Sequence, residues 1–500
     1  MSERKEYFTD KHRAQWKTKT GFLLAAIGSA VGLGNIWRFS YLCYRHGGGA
    51  FLIPYFLALI AVGIPLLILE FGLGHSQRGS APKSFRRISK KWEWLGWWPV
   101  LLVMFGIVVY YAVIISWSLN YVFYSATISW GADPNAFFFN EFLNITGGPG
   151  EIGGVVLPVL LGLFFIWFLN WVIVYFGIEK GIERATKILM PVMLLLTIIL
   201  VIWAVNLPGA GVGIVHYIRP DFSTLSNPRV WIDAFSQIFF TLSIGFGIMI
   251  AYASYLPEKS DLTGSAIVAS VANCVYSIIV GFAVFGTLGY MAVEQGVGID
   301  EVVTGSIGLA FVAFPQAISL IPRFARIFGI MFFTILVFAG LSSSISILEA
   351  FTSSVMDKFH YSRKKVVSII CLIAFLGGII FTTGGGLYWL DIVDHFITNY
   401  GLVTVGILEC LVIGWHFKAD RLRAHIDEVS RVKLGKWWDI SVKIITPLIL
   451  GIILITSLIG ELSAAYEGYP VKWLVILGGS WLTVTLAGAL VVTGRRWQDG

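Results

Sequence analysis

Two stretches of the chain place glycine pairs in the middle of apolar runs: Gly28-Ser29-Ala30-Val31-Gly32-Leu33-Gly34-Asn35 and Thr241-Leu242-Ser243-Ile244-Gly245-Phe246-Gly247. A helix that unwinds there frees backbone carbonyls, which suit hard cations. It also exposes the N–H groups and positive dipole end of a second half-helix, which suit a carboxylate. Oxygen-bearing side chains gather on the same and neighbouring runs: Asn35, Thr241, Asn273 and Ser342-Ser343-Ser344. The chemistry on offer is capture of a zwitterion together with sodium. Each feature alone has a plainer reading, since glycines let helices pack closely and a mid-membrane serine often bonds back to its own helix. Two glycine pairs at corresponding positions favour a site. Ionisable residues inside apolar runs are costly and usually functional; here they are Arg38, Glu70, Asp394 and Glu409, with Glu349 and Asp357 nearer a helix end. Arg38 with Asp394 reads either as an outer gate of opposite charges or as a static ion pair between helices.

These residues need a bilayer around them. The chain has 500 residues, 57% hydrophobic and only 13% charged, with a mean hydropathy of +0.79, which excludes an ordinary soluble domain. Its net charge of +7 does not call for nucleic acid. Twelve runs long enough to cross the hydrocarbon as helices begin near Gly21, Phe51, Leu95, Val155, Ala185, Val230, Ser265, Phe324, Val366, Leu387, Ile440 and Trp473. Basic residues concentrate in Ser76 to Lys91, Lys358 to Lys365 and Lys418 to Lys436, whereas Ala126 to Glu151 and Gly296 to Leu320 contain no Lys or Arg. The positive-inside rule therefore predicts cytoplasmic N- and C-termini, with Arg323 and Arg326 against the trend. The charged start (Arg4, Lys5, Lys11, Arg13, Lys17, Lys19) has no removable signal pattern. Cys43, Cys274, Cys371 and Cys410 lie in or beside apolar runs without CxxC spacing and read as small core residues. Unwound backbone at membrane depth survives only where it lines a protein-enclosed cavity. Two breaks five runs apart thus point to an inverted repeat with a binding site between its halves.

At these residues the chain resembles the neurotransmitter:sodium symporter family, and within it the bacterial amino-acid transporters typified by the leucine transporter. The likeness covers nearly the whole chain and rests on GSAVGLGNIWRF (Gly28 to Phe39), HGGGAFLIPY (His46 to Tyr55), QIFFTLSIGFG (Gln237 to Gly247), YASY (Tyr252 to Tyr255) and AGLSSSISIL (Ala339 to Leu348). It implies an all-α membrane protein of twelve transmembrane helices, a 5+5 inverted repeat with discontinuous helices 1 and 6. The divisions would be a cytoplasmic segment over 1–20, the repeats over 21–207 and 208–416, and two last helices with a cytoplasmic C-terminus over 417–500. The expected location is the bacterial inner membrane.

Carried over to this sequence, the resemblance implies one sodium among Ala30, Asn35, Thr241, Asn273 and the substrate carboxylate, and a second among Gly28, Val31, Ala339, Ser342 and Ser343. Substrate would contact Ala30, Gly32, Leu33, Gly34, Ile107, Tyr111, Phe240, Thr241, Ser243, Phe246, Ser342 and Ile347, with Tyr111 on the carboxylate and Phe240 as lid. The outer gate would be Arg38 with Asp394. The cytoplasmic gate would be Arg13 with Asp357, aided by Trp16 and Tyr255, while Glu70 braces the sixth helix. Gly32 stands where monoamine transporters of the family place Asp, so a neutral amino acid is favoured over a lone amine. Ser277 stands where chloride-independent relatives carry Glu; it either joins Tyr55, Gln237, Thr241 and Asn273 in a chloride site or is a packing serine. Ser40 replaces the family's usual proline after Arg-Phe, which would change the bend of the outer half-helix. Asn144-Ile145-Thr146 forms a glycosylation sequon, read as chance. Transporters of γ-aminobutyrate, betaine, taurine or another compatible solute, and a sensor that binds without transporting, keep the same residues. An enzyme is not expected: the eight histidines are scattered, and neither HExxH nor GxSxG occurs.

Overall fold

A computed structural model describes residues 13–303 and 305–498; Arg4, Lys5 and Lys11 of the charged start lie outside the described residues. The described residues are all helical apart from turns, loops and two isolated bridges, Gly48 with Pro220 and Val155 with Thr383. Among the described residues ten helices are long and apolar enough to cross a membrane, the second span being Gly49–Gln77, the third Lys90–Thr127, the seventh Leu262–Gln295, the eighth Ala325–Phe359 and the tenth Gly386–His416. The first span is a pair, Lys19–Ala30 and Leu33–Arg45, bent by 67°. The sixth is also a pair, Pro228–Thr241 and Ile248–Ala253, separated by residues 242–247. These ten helices and two broken pairs fall on the twelve apolar runs read from the sequence, with both breaks where the glycines lie.

Local chemistry explains the ends. Thr18 caps the first span by accepting from Gly21 N, and Asp261 caps the seventh by accepting from Gly264 N; both satisfy N–H groups that a helix start leaves unpaired. In the sixth span the backbone takes positive φ at Ser243 (53°), Gly245 (77°) and Gly247 (73°). Glycine adopts such angles freely, which is why the run unwinds there. The fifth span, Ile178–Val205, starts seven residues before the apolar run at Ala185. Its first turns hold Glu179, Lys180, Glu183 and Arg184, charged residues that lower the local hydropathy; Glu183 is buried, accepting from Lys17 N and Thr18 Oγ1. Ser40, the departure noted above, bonds back to Ile36 O at 2.8 Å and the outer half-helix continues through it.

Burial separates a centre from a periphery. In their most apolar stretches, the third and eighth spans are 89% and 78% buried within the protein, against 22% for the eleventh, Lys436–Gly468, and the twelfth, Val471–Gly494. The central spans therefore read as apolar because they are core, and the outer ones because they meet lipid. Gly74 permits one close approach, since a Cβ there would fall 2.0 Å from Ile250 O on the second half of the broken sixth span. All four cysteines are free and buried.

The site between the two broken helices

The first break presents its last carbonyls to hydroxyls from two other spans. Ser243 Oγ donates to Ser29 O at 3.0 Å, and Ser343 Oγ lies 3.2 Å from Ser29 O, 3.5 Å from Gly28 O and 3.3 Å from Ala339 O. Ser342 Oγ reaches Ala339 O at 3.0 Å. Gly28, Ala339, Ser342 and Ser343, four of the five residues expected for the second sodium, are thus one cluster of oxygens. The fifth, Val31, is the extended residue that ends the half-helix (φ −78°, ψ 102°).

The residues expected around the first sodium also meet. Asn35 Nδ2 donates to Asn273 Oδ1 at 2.8 Å, Thr241 Oγ1 to the same oxygen at 3.3 Å, and Gly32 N to Asn35 Oδ1 at 2.8 Å. The oxygens brought together here, Asn35 Oδ1, Thr241 Oγ1 and Asn273 Oδ1, are all neutral, which fits a hard monovalent cation rather than a transition metal. Among the described residues no group of three or more His, Cys, Asp or Glu could hold a metal.

On the far side of Asn35 lie the residues expected for chloride. Asn35 Nδ2 also donates to Ser277 Oγ at 2.8 Å, and Ser277 Oγ donates to Asn273 O at 3.2 Å. The Tyr55 hydroxyl and Asn273 Nδ2 are buried donors without a partner, and Tyr55 lies against Ser277 and Cys274. Buried polar groups are normally satisfied, so two orphaned donors beside Ser277 are what an anion would complete. Gln237 places Nε2 3.5 Å from Gly34 O while its Oε1 has no partner.

Gly32 looks into the expected substrate space: a Cβ there would lie 3.1 Å from Tyr111 Oη and 3.2 Å from Ser343 Oγ. Tyr111 Oη accepts from Leu33 N at 3.3 Å, on the half-helix start where a carboxylate would be received. A π-helical turn, Val103–Ile107, ends at Ile107 one turn before Tyr111. Phe246 meets Phe240 edge to face at 6.1 Å. Ile347 follows Ser343 by one helical turn and shares its face. Ala30 is buried at the end of the first half-helix.

Above the break lies a vestibule of about 880 Å³ bordered by Leu33, Gly34, Ile107, Tyr111 and Phe240 at its base. Both expected outer-gate residues line it, but they are not paired: Arg38 stacks over the Phe240 ring at 5.4 Å, and Asp394 accepts a hydrogen bond from Tyr110. Its walls carry Asp233, Asp391, Asp394, Glu461 and Glu467 against Arg38 and Arg229.

The opposite end is shut. Arg13 Nη1 binds both Asp357 oxygens, at 2.7 and 3.0 Å, while its Nε and Nη2 donate to Ser254 Oγ at 3.1 and 2.7 Å. Trp16 Nε1 donates to Tyr252 O at 2.9 Å and Trp16 N to Tyr255 O at 3.1 Å. Arg13 also stacks over Tyr255 at 4.9 Å, and Tyr255 Oη donates to Glu349 at 2.7 Å. The molecule is therefore open at the Arg38 end and closed at the Arg13 end.

Glu70 Oε1 accepts from Gly245 N at 2.6 Å within the second break. Glu70→Ala would strand that buried N–H at a cost of about 1–3 kcal/mol. Thermal unfolding of purified protein should shift down and sodium-dependent binding should weaken, and Glu70→Gln, which keeps an acceptor, should restore most of both. Equal loss in both variants would assign Glu70 a role in charge instead. Glu409, which had no assigned part, lies against Glu70 with both carboxyl oxygens unpartnered. Ser29, Tyr110, Ser254 and Glu349 contact the expected site or gate residues without having been assigned a part. Ser29 and Ser254 lie inside quoted motifs and Glu349 is an ionisable residue of a span, whereas Tyr110 carried no sequence signal.

Ten apolar helices and two broken pairs, whose breaks meet where Ser243 Oγ donates to Ser29 O beside a cluster of neutral oxygens with a vestibule at one end, fit a secondary transporter that carries a small solute with an ion. Residues 13–136 and 129–494 match the Sodium:neurotransmitter symporter family, and the chain belongs to that family. It is 49% identical over 463 residues to an uncharacterized sodium-dependent transporter of Methanocaldococcus jannaschii, covering 93% of this chain and 94% of that one. It is 32% identical over 537 residues to a human sodium- and chloride-dependent taurine transporter (97% and 85% covered) and 31% over 517 residues to the dog protein of the same name (94% and 82%). The chain is accordingly a sodium-dependent membrane transporter and not an enzyme.

Proposed function

We propose that this sodium-dependent transporter imports a neutral amino acid, assisted by chloride, by alternating access between the vestibule and the Arg13 end. The observation that carries the substrate class is Gly32. Gly32 brings no side chain to the first break, where a Cβ would already crowd Tyr111 and Ser343, and the nearby acids Glu70 and Asp394 are turned to Gly245 and Tyr110. A lone amine would find no counter-charge there, whereas an amino acid brings its own carboxylate to the half-helix start and to the first sodium. Two sodium ions, one at each oxygen cluster, fit the donors. In the cycle the strap of residues 13–18 seals the cytoplasmic end while Phe240 and Arg38 stand back, and substrate entry then draws Arg38 toward Asp394. The chain's halves, 21–207 and 208–416, act as the two repeats, with the Arg13 end in the cytoplasm of a cell whose plasma membrane holds the protein.

Binding of a panel of neutral amino acids to purified protein, with potassium replacing sodium in one arm and gluconate replacing chloride in another, tests this. Sodium-dependent amino-acid binding supports it; amino-acid binding indifferent to sodium overturns the coupling. A second reading, transport of taurine or a like compatible solute, is favoured by the names of the two mammalian relatives. It takes first place if taurine binds and amino acids do not. The chloride role has its own test. Ser277→Glu supplies a fixed negative charge beside Asn35, so uptake by this variant should persist in gluconate, whereas uptake by the parent should fall. Retained chloride dependence in the variant would remove Ser277 from the anion site.

A further inference from the structure

A second cavity, of about 300 Å³, lies apart from the breaks and the vestibule, at the Arg13 end. Three separate segments wall it: Trp16 to Thr18 of the strap with Lys19 at the start of the first span, the loop from Leu256 to Asp261, and Val429 with Arg431. Among the described residues four cations border it, Lys17, Lys19, Lys259 and Arg431, against one carboxylate, Asp261. That carboxylate is already engaged, accepting from Gly264 N at 3.1 Å and Arg431 N at 3.3 Å, with Lys19 Nζ 3.8 Å away. Lys17 is 3.2 Å from Glu179, which does not line the cavity. Lys259 and Arg431 have no carboxylate partner among the described ion pairs. Excess positive charge converging on a concave space is matched by a multiply charged anion. Lys19 and Leu262 begin two spans, so the cavity sits where the chain leaves the hydrocarbon, the level of lipid phosphates.

We propose that this cavity binds a phosphate-bearing anion, a lipid headgroup or free phosphate, and that the bound anion holds the strap docked. Trp16 is both a wall of the cavity and the residue whose indole and amide bind Tyr252 O and Tyr255 O. When the Arg13 end opens, the strap leaves and takes one wall with it. The anion therefore binds the closed form and not the open one, and stabilises the closed form by mass action. This site is independent of what is transported.

The test uses full-length protein in maltoside detergent, which contains no phosphate. Inorganic phosphate is titrated calorimetrically in one arm; in the other, added phosphatidylglycerol is followed by native mass spectrometry. Hydrogen exchange at the Trp16 amide is read in both. Phosphate or phosphatidylglycerol should bind, and a Lys259→Ala/Arg431→Ala variant should lose about 10- to 100-fold in affinity, while its sodium-dependent substrate binding stays intact as a control of fold. At ten times Kd, Trp16 exchange should slow about tenfold. Binding in the first arm alone assigns free phosphate, and in the second alone a headgroup. No binding in either arm, or affinity unchanged in the variant, overturns the site. Binding that leaves Trp16 exchange unaltered overturns the docking role.

Discussion

Arg13→Ala should abolish the resting state that faces the vestibule. Asp357 would lose the guanidinium that binds both its oxygens and would keep Ser80 N at 2.8 Å and Lys83 at 3.7 Å. The pair is close to buried, with side chains 11% and 12% exposed. Removing one partner of a buried ion pair costs about 3–5 kcal/mol. This is enough to move a conformational equilibrium by a factor of about 100 or more, at roughly 1.4 kcal/mol per tenfold. The open-vestibule population should therefore collapse in favour of the opposite opening. The readouts are substrate affinity from the vestibule side and reactivity of a cysteine placed at Ser457, on the vestibule wall, toward an impermeant thiol reagent, both falling. Arg13→Lys should recover only part, because one ammonium cannot span Asp357 and Ser254 as the guanidinium fork does. Unchanged accessibility in Arg13→Ala would show that the cluster ties down the strap without gating.

Asn273→Ala should be the most damaging single change in the cage itself. Its Oδ1 gathers Asn35 and Thr241, its carbonyl holds Ser277, and its Nδ2 faces the space beside Tyr55. Loss of one oxygen ligand to a desolvated charge, at about 1.5–3 kcal/mol, predicts sodium-dependent substrate binding weakened about 10- to 100-fold. The sodium concentration for half-saturation should rise in step, and the chloride dependence should be blunted as well. Thr241→Val should affect the sodium term while sparing chloride more. If Asn273→Ala altered only the melting temperature, the cage would be structural.

Much of this was legible beforehand, and the remainder is instructive. Twelve apolar runs, two glycine-marked breaks and the charged members of the gates can be read from composition along the chain, because each is a local property. The start of the fifth span was misjudged because Glu179 to Arg184 form helix without being apolar. The state of the outer gate was not legible either: Asp394 is bound by Tyr110, which carries no motif, and Arg38 rests on Phe240. Ser29 contributes through its carbonyl, which any residue could supply, so its identity is silent. The Asn35–Asn273 contact joins residues 238 positions apart, and pairing at that range depends on how spans pack, not on any spacing within them. Glu409 could be singled out as a costly buried charge, but only packing places it against Glu70.

The unequal charge on the vestibule walls has a kinetic meaning. Five carboxylates facing two guanidiniums in a cleft with low-dielectric sides concentrate field lines and raise the local density of cations, an influence that fades with ionic strength. Sodium should be captured faster in dilute salt, and dicarboxylic amino acids should be turned back before reaching any selective contact. The mouth of the transporter thus sorts solutes by sign at the encounter step, leaving the broken helices to choose among those that have no net charge to repel.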